Sequence, residues 1–64
     1  MYFKLHINTN NAAFDGDNKQ HELSRLLRDI ADKIESNGVS WCYQNIRDYN
    51  GNIVGRYAEK DEGL

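Results

Sequence analysis

The residues of this chain with the most distinctive binding chemistry carry aromatic or cationic side chains. Aromatic rings stack on the bases of nucleotides, and lysine or arginine beside them neutralises phosphate. The same residue types dominate interfaces between protein chains, so ligand stacking and self-association are both open. The candidate binding residues are Lys4, His6, Phe14, Trp41, Tyr43, Arg47 and Arg56.

Catalytic and metal-binding patterns are weak by comparison. Cys42 lies within a predicted strand, where a cysteine is typically a small buried hydrophobe. His6 and His21 fall on different elements, and no serine or acidic residue is spaced to complete a triad with them. The oxygen-rich run Asp15-Gly16-Asp17-Asn18 lacks the rest of a calcium-binding loop. We therefore expect a non-enzymatic protein without a metal or cofactor.

The N-terminus of the predicted helix is a further candidate, in this case for an anion. Its first backbone N–H groups attract phosphate, and Lys19 lies beside them. Asp15 and Asp17 oppose an anion electrostatically. A phosphate site and ordinary helix capping are both open at this position.

Hydrophobic periodicity predicts a strand followed by a helix. In residues 2–8 alternate positions are apolar, which is typical of a half-buried strand. In residues 17–37 apolar residues recur three and four apart, and Asp17 with Gln20 resembles a capping box that starts the helix. Gly38 then supplies the positive φ that ends it. In the first strand, Phe3, Leu5 and Ile7 are expected to face the helix, and Tyr2, Lys4, His6 and Asn8 the opposite side.

A tight hairpin over residues 46–55 decides where the aromatic side chains point. Asp48 suits the first position of a type I turn, and Gly51 suits the position that then requires positive φ. A three-residue loop would pair Ile46 with Val54, Arg47 with Ile53 and Asp48 with Asn52. This register predicts an inner face of Cys42, Ile46, Val54 and Ala58, and an outer face of Trp41, Tyr43, Ile53 and Tyr57 beside Arg47.

Together these elements predict one α+β domain of β-α-β-β order over residues 1–60, with a three-stranded sheet and one helix packed on one face. The strands are expected at 2–8, 39–47 and 52–60, with the last strand either between the other two or at an edge. This architecture is half of a ferredoxin-like fold. Phe14 would fasten the loop before the helix or cap a pocket. Residues 61–64 are predicted to form a flexible acidic tail.

Size and charge narrow the range of partners. The chain has 64 residues and a formal net charge of −2, which argues against broad, sequence-independent DNA binding. Such a short chain buries only about 60% of its unfolded surface, and one helix covers only one sheet face, so we expect a homo-oligomer. Cys42 is the single cysteine, and no secretory or membrane-length apolar run occurs. We therefore expect a cytoplasmic protein without a membrane partner.

Three segments together resemble a widespread group of very short phage and prophage proteins. They are residues 8–14, which contain the pattern T-x-N-x-A-F, the helix segment 26–31, and residues 47–55 with the pattern R-D-x-N-G-N-x-V-G. The resemblance implies a phage protein in the host cytoplasm, where such small proteins often counter host defence. It favours a homo-oligomer that sequesters a nucleotide-derived immune signal. Blocking of a host defence protein, or binding of single-stranded nucleic acid, is the alternative.

Overall fold

The computed structural model describes residues 1–61, which form one helix and a three-stranded sheet. Strand β1 is Tyr2–Ile7, helix α1 is Asn18–Asn37, strand β2 is Gln44–Arg47 and strand β3 is Ile53–Lys60. The sheet is antiparallel in the order β1-β3-β2. The predicted α+β fold is confirmed, with the last strand in the centre. Of the predicted tail, residues 62–64 lie outside the described residues.

Helix α1 forms where the apolar spacing predicts it, but it begins differently. Leu26 and Ile30, one turn apart, are buried, and Gly38 ends the helix with a φ of 74°. The predicted cap at Asp17 is wrong. Asp17 has helical φ and ψ and its side chain caps no N–H, whereas a capping residue needs an extended backbone. Within residues 1–61, no helix is both long and apolar enough to cross a membrane.

The core lies between α1 and the inner face of the sheet. Phe14 comes from a 3-10 turn at Ala12–Phe14, and its burial holds the loop before α1 in place. Burial also removes Phe14 from the predicted binding residues, because no ligand can stack on a ring inside the core. The core residues are Ala13, Phe14, Leu26, Ile30, Ile46, Val54 and Tyr57, with Ile7 and Ile34 at the margin.

A bulge at Val54 changes the direction in which β3 presents its side chains. Arg47 pairs with Ile53 as predicted, but Ile46 pairs with Gly55 instead of Val54. An extra residue in one strand reverses the alternation beyond it. The predicted faces are therefore wrong for two residues: Tyr57 is in the core and Ala58 is outside it. The prediction for Cys42 is also wrong, since it is exposed ahead of β2, which begins only at Gln44.

A close backbone approach requires glycine at position 55. A Cβ atom there would lie 1.9 Å from the backbone carbonyl oxygen of His6 on the neighbouring strand. A glycine inside a strand is a known signal of a bulge or of such an approach. Gly55 is therefore a signal in the sequence for the bulge that changes the pairing of β2 with β3.

Two buried carboxylates tie the hairpin tip to the rest of the domain, in an arrangement of Asn11, Glu22, Arg25 and Asp48 that we term the polar clamp. Asp48 is 4% exposed. Its Oδ1 accepts two backbone N–H groups of the hairpin, both at 2.9 Å, and its Oδ2 accepts the Asn11 side-chain amide at 2.8 Å. Asp48 thus joins the hairpin to the loop after β1.

Glu22 joins the same hairpin to α1. The Glu22 side chain is only 5% exposed, whereas most polar side chains of α1 are exposed. Its Oε1 accepts Arg25 Nε at 2.6 Å, and its Oε2 accepts the backbone N–H of Tyr49 at 2.7 Å. A buried carboxylate with several donors satisfies the requirement that buried charge be paired and hydrogen-bonded.

Hydrogen bonds lower the pKa of both carboxyl groups of the polar clamp. For Glu22, the hydrogen bond from Arg25 is the largest cause and keeps the pKa below the ordinary 4.5, although burial raises it. For Asp48, burial is the largest single influence and raises the pKa. The hydrogen bonds from Asn52, Asn11 and Asn50 together outweigh burial and keep the pKa below the ordinary 3.8.

These shifts predict that acid destabilises the fold. The unfolded chain takes up protons at the ordinary pKa values, before the folded chain does, so the stabilisation is present above those values. It is lost as the pH falls through the lower pKa values of the folded state. Urea unfolding at a series of pH values should show the free energy of unfolding decreasing on acidification. Glu22→Gln should flatten this decrease, with Asp17→Asn as the control for loss of one negative charge; an unchanged slope in Glu22→Gln would contradict the assignment.

The bulge predicts a cost for any side chain at position 55. Gly55→Ala places a methyl group against the backbone of β1, which cannot move without breaking the sheet. We expect a loss of about 1–3 kcal/mol in the free energy of unfolding, the usual range for overpacking. Ser24→Ala on the exposed surface of α1 is the matched control. A Gly55→Ala protein as stable as the parent would show that the close approach is absent.

Candidate ligand-binding surface

The sheet face away from α1, here termed the open face, collects the cationic residues of β1 and β3. Residues directly opposite in an antiparallel pair point to the same side of the sheet. The opposed pairs on this side are His6 with Arg56, Lys4 with Ala58, and Tyr2 with Lys60. Ala58 is fully buried although it lies outside the core, because longer side chains surround it. The open face therefore has a small residue, Ala58, at its centre and longer polar side chains around it.

Trp41 and Tyr43, in the segment before β2, lie against these cations. The guanidinium carbon of Arg56 is 4.1 Å from the centre of the Tyr43 ring. The Lys60 ammonium nitrogen is 4.6 Å from the Trp41 ring and 4.7 Å from the Tyr43 ring. All three distances are within cation–π range. The two rings remain 56% and 37% exposed, so a planar ligand can still reach them.

The open face is positive although the whole chain carries a formal charge of −2. Lys4, Arg56 and Lys60 belong to it. Among the described residues of β1, β2 and β3, the acidic Glu59 alternates onto the opposite face. Segregation of this kind creates a local positive potential that attracts anions.

An open depression of about 400 Å³ lies within this face. It is lined by Lys4, Leu5, His6, Tyr43 and Arg56. Its volume falls at the lower end of the range for small-molecule sites. The lining offers an aromatic ring for stacking and a guanidinium that can donate two hydrogen bonds to a phosphate.

The structure brings together five of the predicted binding residues. Four of them line the depression, and Trp41 adjoins them through Lys60. Arg47 lies apart at the end of the hairpin, where its guanidinium donates to the Gly51 carbonyl oxygen at 2.9 Å. Phe14 is in the core. The residues brought together are Lys4, His6, Trp41, Tyr43 and Arg56.

Lys60 is a member of this surface that the sequence reasoning missed. The sequence signal that could have identified Lys60 is the two-residue alternation of a strand. Because Arg56 and Lys60 are four residues apart, they must lie on the same side of β3. The predicted register, without the bulge, gave no reason to group Lys60 with the aromatic residues.

The predicted anion site at the start of α1 is partly occupied by the chain itself. The N–H of Asn18 donates to the Asp15 carbonyl oxygen at 3.0 Å, and the N–H of Lys19 donates to that of Gly16 at 3.3 Å. Donors engaged in this turn are not available to a phosphate. Within residues 1–61, no group of three or more histidine, cysteine, aspartate or glutamate side chains could hold a metal ion.

Comparison of the chain with protein-family models, with curated proteins and with solved structures gives no match.

The charge of the open face predicts how small ions reach Trp41, the single tryptophan. At equal ionic strength, the ratio of iodide quenching to caesium quenching should be higher for Trp41 than for free tryptophan amide, because a positive surface concentrates anions. Lys60→Glu should reduce or reverse this difference, whereas Lys19→Glu, at the start of α1, should preserve it. A ratio in the parent protein equal to that of the free amide would contradict the assignment of a positive surface around Trp41.

Proposed function

We propose that this chain is a phage-encoded, non-enzymatic homo-oligomer that binds and sequesters a nucleotide-derived immune signal of the host. The observation that supports nucleotide binding is the open face, where Arg56 and Lys60 lie over the rings of Tyr43 and Trp41 beside a depression of suitable size. The phage origin and the role against host defence rest on the resemblance of the loop and hairpin segments.

Binding on the open face would combine stacking with charge. A base stacked on Tyr43 or Trp41 contributes about 1–3 kcal/mol. Arg56 presents a planar guanidinium suited to two parallel hydrogen bonds with phosphate, and Lys4 supplies a compact second charge. Because cations already lie against both rings, the ligand would stack on the ring surface that stays exposed.

Retention of the ligand without turnover fits the residues of the depression. Nucleophilic catalysis needs a nucleophile within hydrogen-bond reach of a base that is itself oriented by a third group. In the described part of the chain, the lining of this depression includes His6 but no serine, cysteine, aspartate or glutamate. His6 therefore has no serine or cysteine to activate and no carboxylate to orient it there.

A homo-oligomer would cover apolar surface that one copy leaves exposed. Phe3, Leu5 and Leu27 are exposed apolar residues. β1 and β2 are the edge strands of the sheet, and edge strands present backbone groups to a further strand. A domain of this size gains stability when association buries such surface.

The alternative partner is a host defence protein or a single-stranded nucleic acid. The observation that favours it is the accessibility of the open face, with Trp41 and Tyr43 on an exposed sheet surface. Exposed aromatic residues with arginine beside them are typical of protein interfaces and of sheets that bind single strands. A nucleotide retained by the purified protein would distinguish sequestration from both.

Charge reversal on the open face should weaken nucleotide binding. Arg56→Glu replaces attraction with repulsion, and we expect a loss of affinity of at least about tenfold, since a charge-assisted hydrogen bond contributes about 1.5–3 kcal/mol. Arg28→Glu makes the same charge change on the exposed surface of α1 and is the matched control. Calorimetry of the assembled protein against cyclic dinucleotides and ADP-ribose derivatives measures the difference. If none of them binds and a host protein co-purifies instead, sequestration is wrong and the protein-blocking alternative replaces it.

A further inference from the structure

We infer that the ligand has two nucleoside parts joined through phosphate, and that an asparagine-lined depression next to the open face holds the second part. This inference rests on the proposed nucleotide binding and specifies its ligand class. It depends on a second depression, on the hydrogen-bonding groups in its wall, and on the residue that the two depressions share.

The second depression has a volume of about 500 Å³ and adjoins the first. It is lined by His6, Asn8, Asn10, Asn11, Ile53 and Val54. His6 also lines the depression that contains Tyr43 and Arg56. The two therefore meet at His6, and together they offer more room than one nucleotide needs.

The asparagine side chains in this wall differ in how many of their amide donors and acceptors are already used by the fold. Asn11 is used by the fold, because its Oδ1 accepts the Ala13 N–H at 2.9 Å and its Nδ2 donates to Asp48. Asn8 accepts the Asn10 backbone N–H at 2.9 Å through Oδ1, which leaves its NH₂ group for a ligand. The Asn10 side chain is exposed and makes no hydrogen bond to another described residue. One full amide and one amide NH₂ are thus presented together.

These groups suit the edge of a base more than a phosphate. An asparagine amide offers a donor and an acceptor in one plane, which is the pattern that reads adenine and other base edges. Ile53, 55% exposed, supplies apolar surface in the same wall. Arginine and lysine are confined to the lining of the first depression. The phosphate is therefore expected between Arg56 and His6, with one base on Tyr43 and the other beside Asn10.

Calorimetry with matched ligands tests this arrangement. The probes are the four nucleoside 5′-monophosphates, the corresponding 5′-phosphorylated linear dinucleotides, and single-stranded hexanucleotides, all at one ionic strength. The best dinucleotide should bind at least about tenfold more tightly than its monophosphate, the difference that one added stacked or hydrogen-bonded base supports. Asn10→Ala should remove most of this advantage and leave the monophosphate affinity unchanged. Asn37→Ala, at the exposed end of α1, is the control.

Each result separates this inference from the proposed function. If monophosphates and dinucleotides bind equally and Asn10→Ala changes neither, the second site is wrong while nucleotide binding stands. If nothing in the panel binds, this inference is wrong, and the titrations with cyclic dinucleotides and ADP-ribose derivatives decide whether nucleotide binding stands. A hexanucleotide that matches the dinucleotide and shares its sensitivity to Asn10→Ala supports the two-part site with a nucleic-acid strand as the source. A weaker hexanucleotide supports a free dinucleotide.

Discussion

The hydrogen bonds that the buried carboxylate of Asp48 accepts hold the hairpin and the loop after β1 in place, and the other contacts of the domain rely on them. The carboxylate organises the hairpin loop through two backbone N–H groups and reaches Asn11 in the loop after β1. Glu22 adds a bond from α1 to the backbone of Tyr49 in the same loop. Three segments distant in sequence therefore meet at one polar centre. This matters in a domain whose core is small, because an uncompensated buried carboxylate would cost a large part of its stability.

The fold also accounts for several residues of the two sequence patterns on which the proposed resemblance to phage proteins rests. Asn11 and Asp48 bond to each other, Phe14 anchors the loop in the core, Gly51 has a φ of 87°, and Gly55 allows the close approach to β1. These positions serve the fold. The proposed binding residues Lys4, Tyr43, Arg56 and Lys60 lie outside all three of these segments. The resemblance therefore bears on the architecture more directly than on the ligand.

Much of the architecture could be predicted from periodicity and turn chemistry. The strand at Tyr2–Ile7, the helix to Asn37 and the turn with Gly51 follow from local patterns. The side-chain faces of β3 could not be predicted without the bulge, and one missed residue moved Tyr57 from the outer face to the core. The burial of Glu22 could not be predicted from the sequence either, because Tyr49, whose backbone N–H donates to its carboxylate, is 27 residues away. Long-range contacts of this kind leave no periodic signal.

The open face is the surface on which we propose that this chain binds a nucleotide. Backbone amide chemical shifts report on binding residue by residue, without any substitution that could disturb the fold. On titration with a linear dinucleotide, ¹H–¹⁵N spectra should show their largest changes at Lys4, His6, Tyr43 and Arg56 and at the Trp41 indole, with α1 little affected. Changes confined to α1 or to the hairpin tip, or no changes at millimolar nucleotide, would contradict the account.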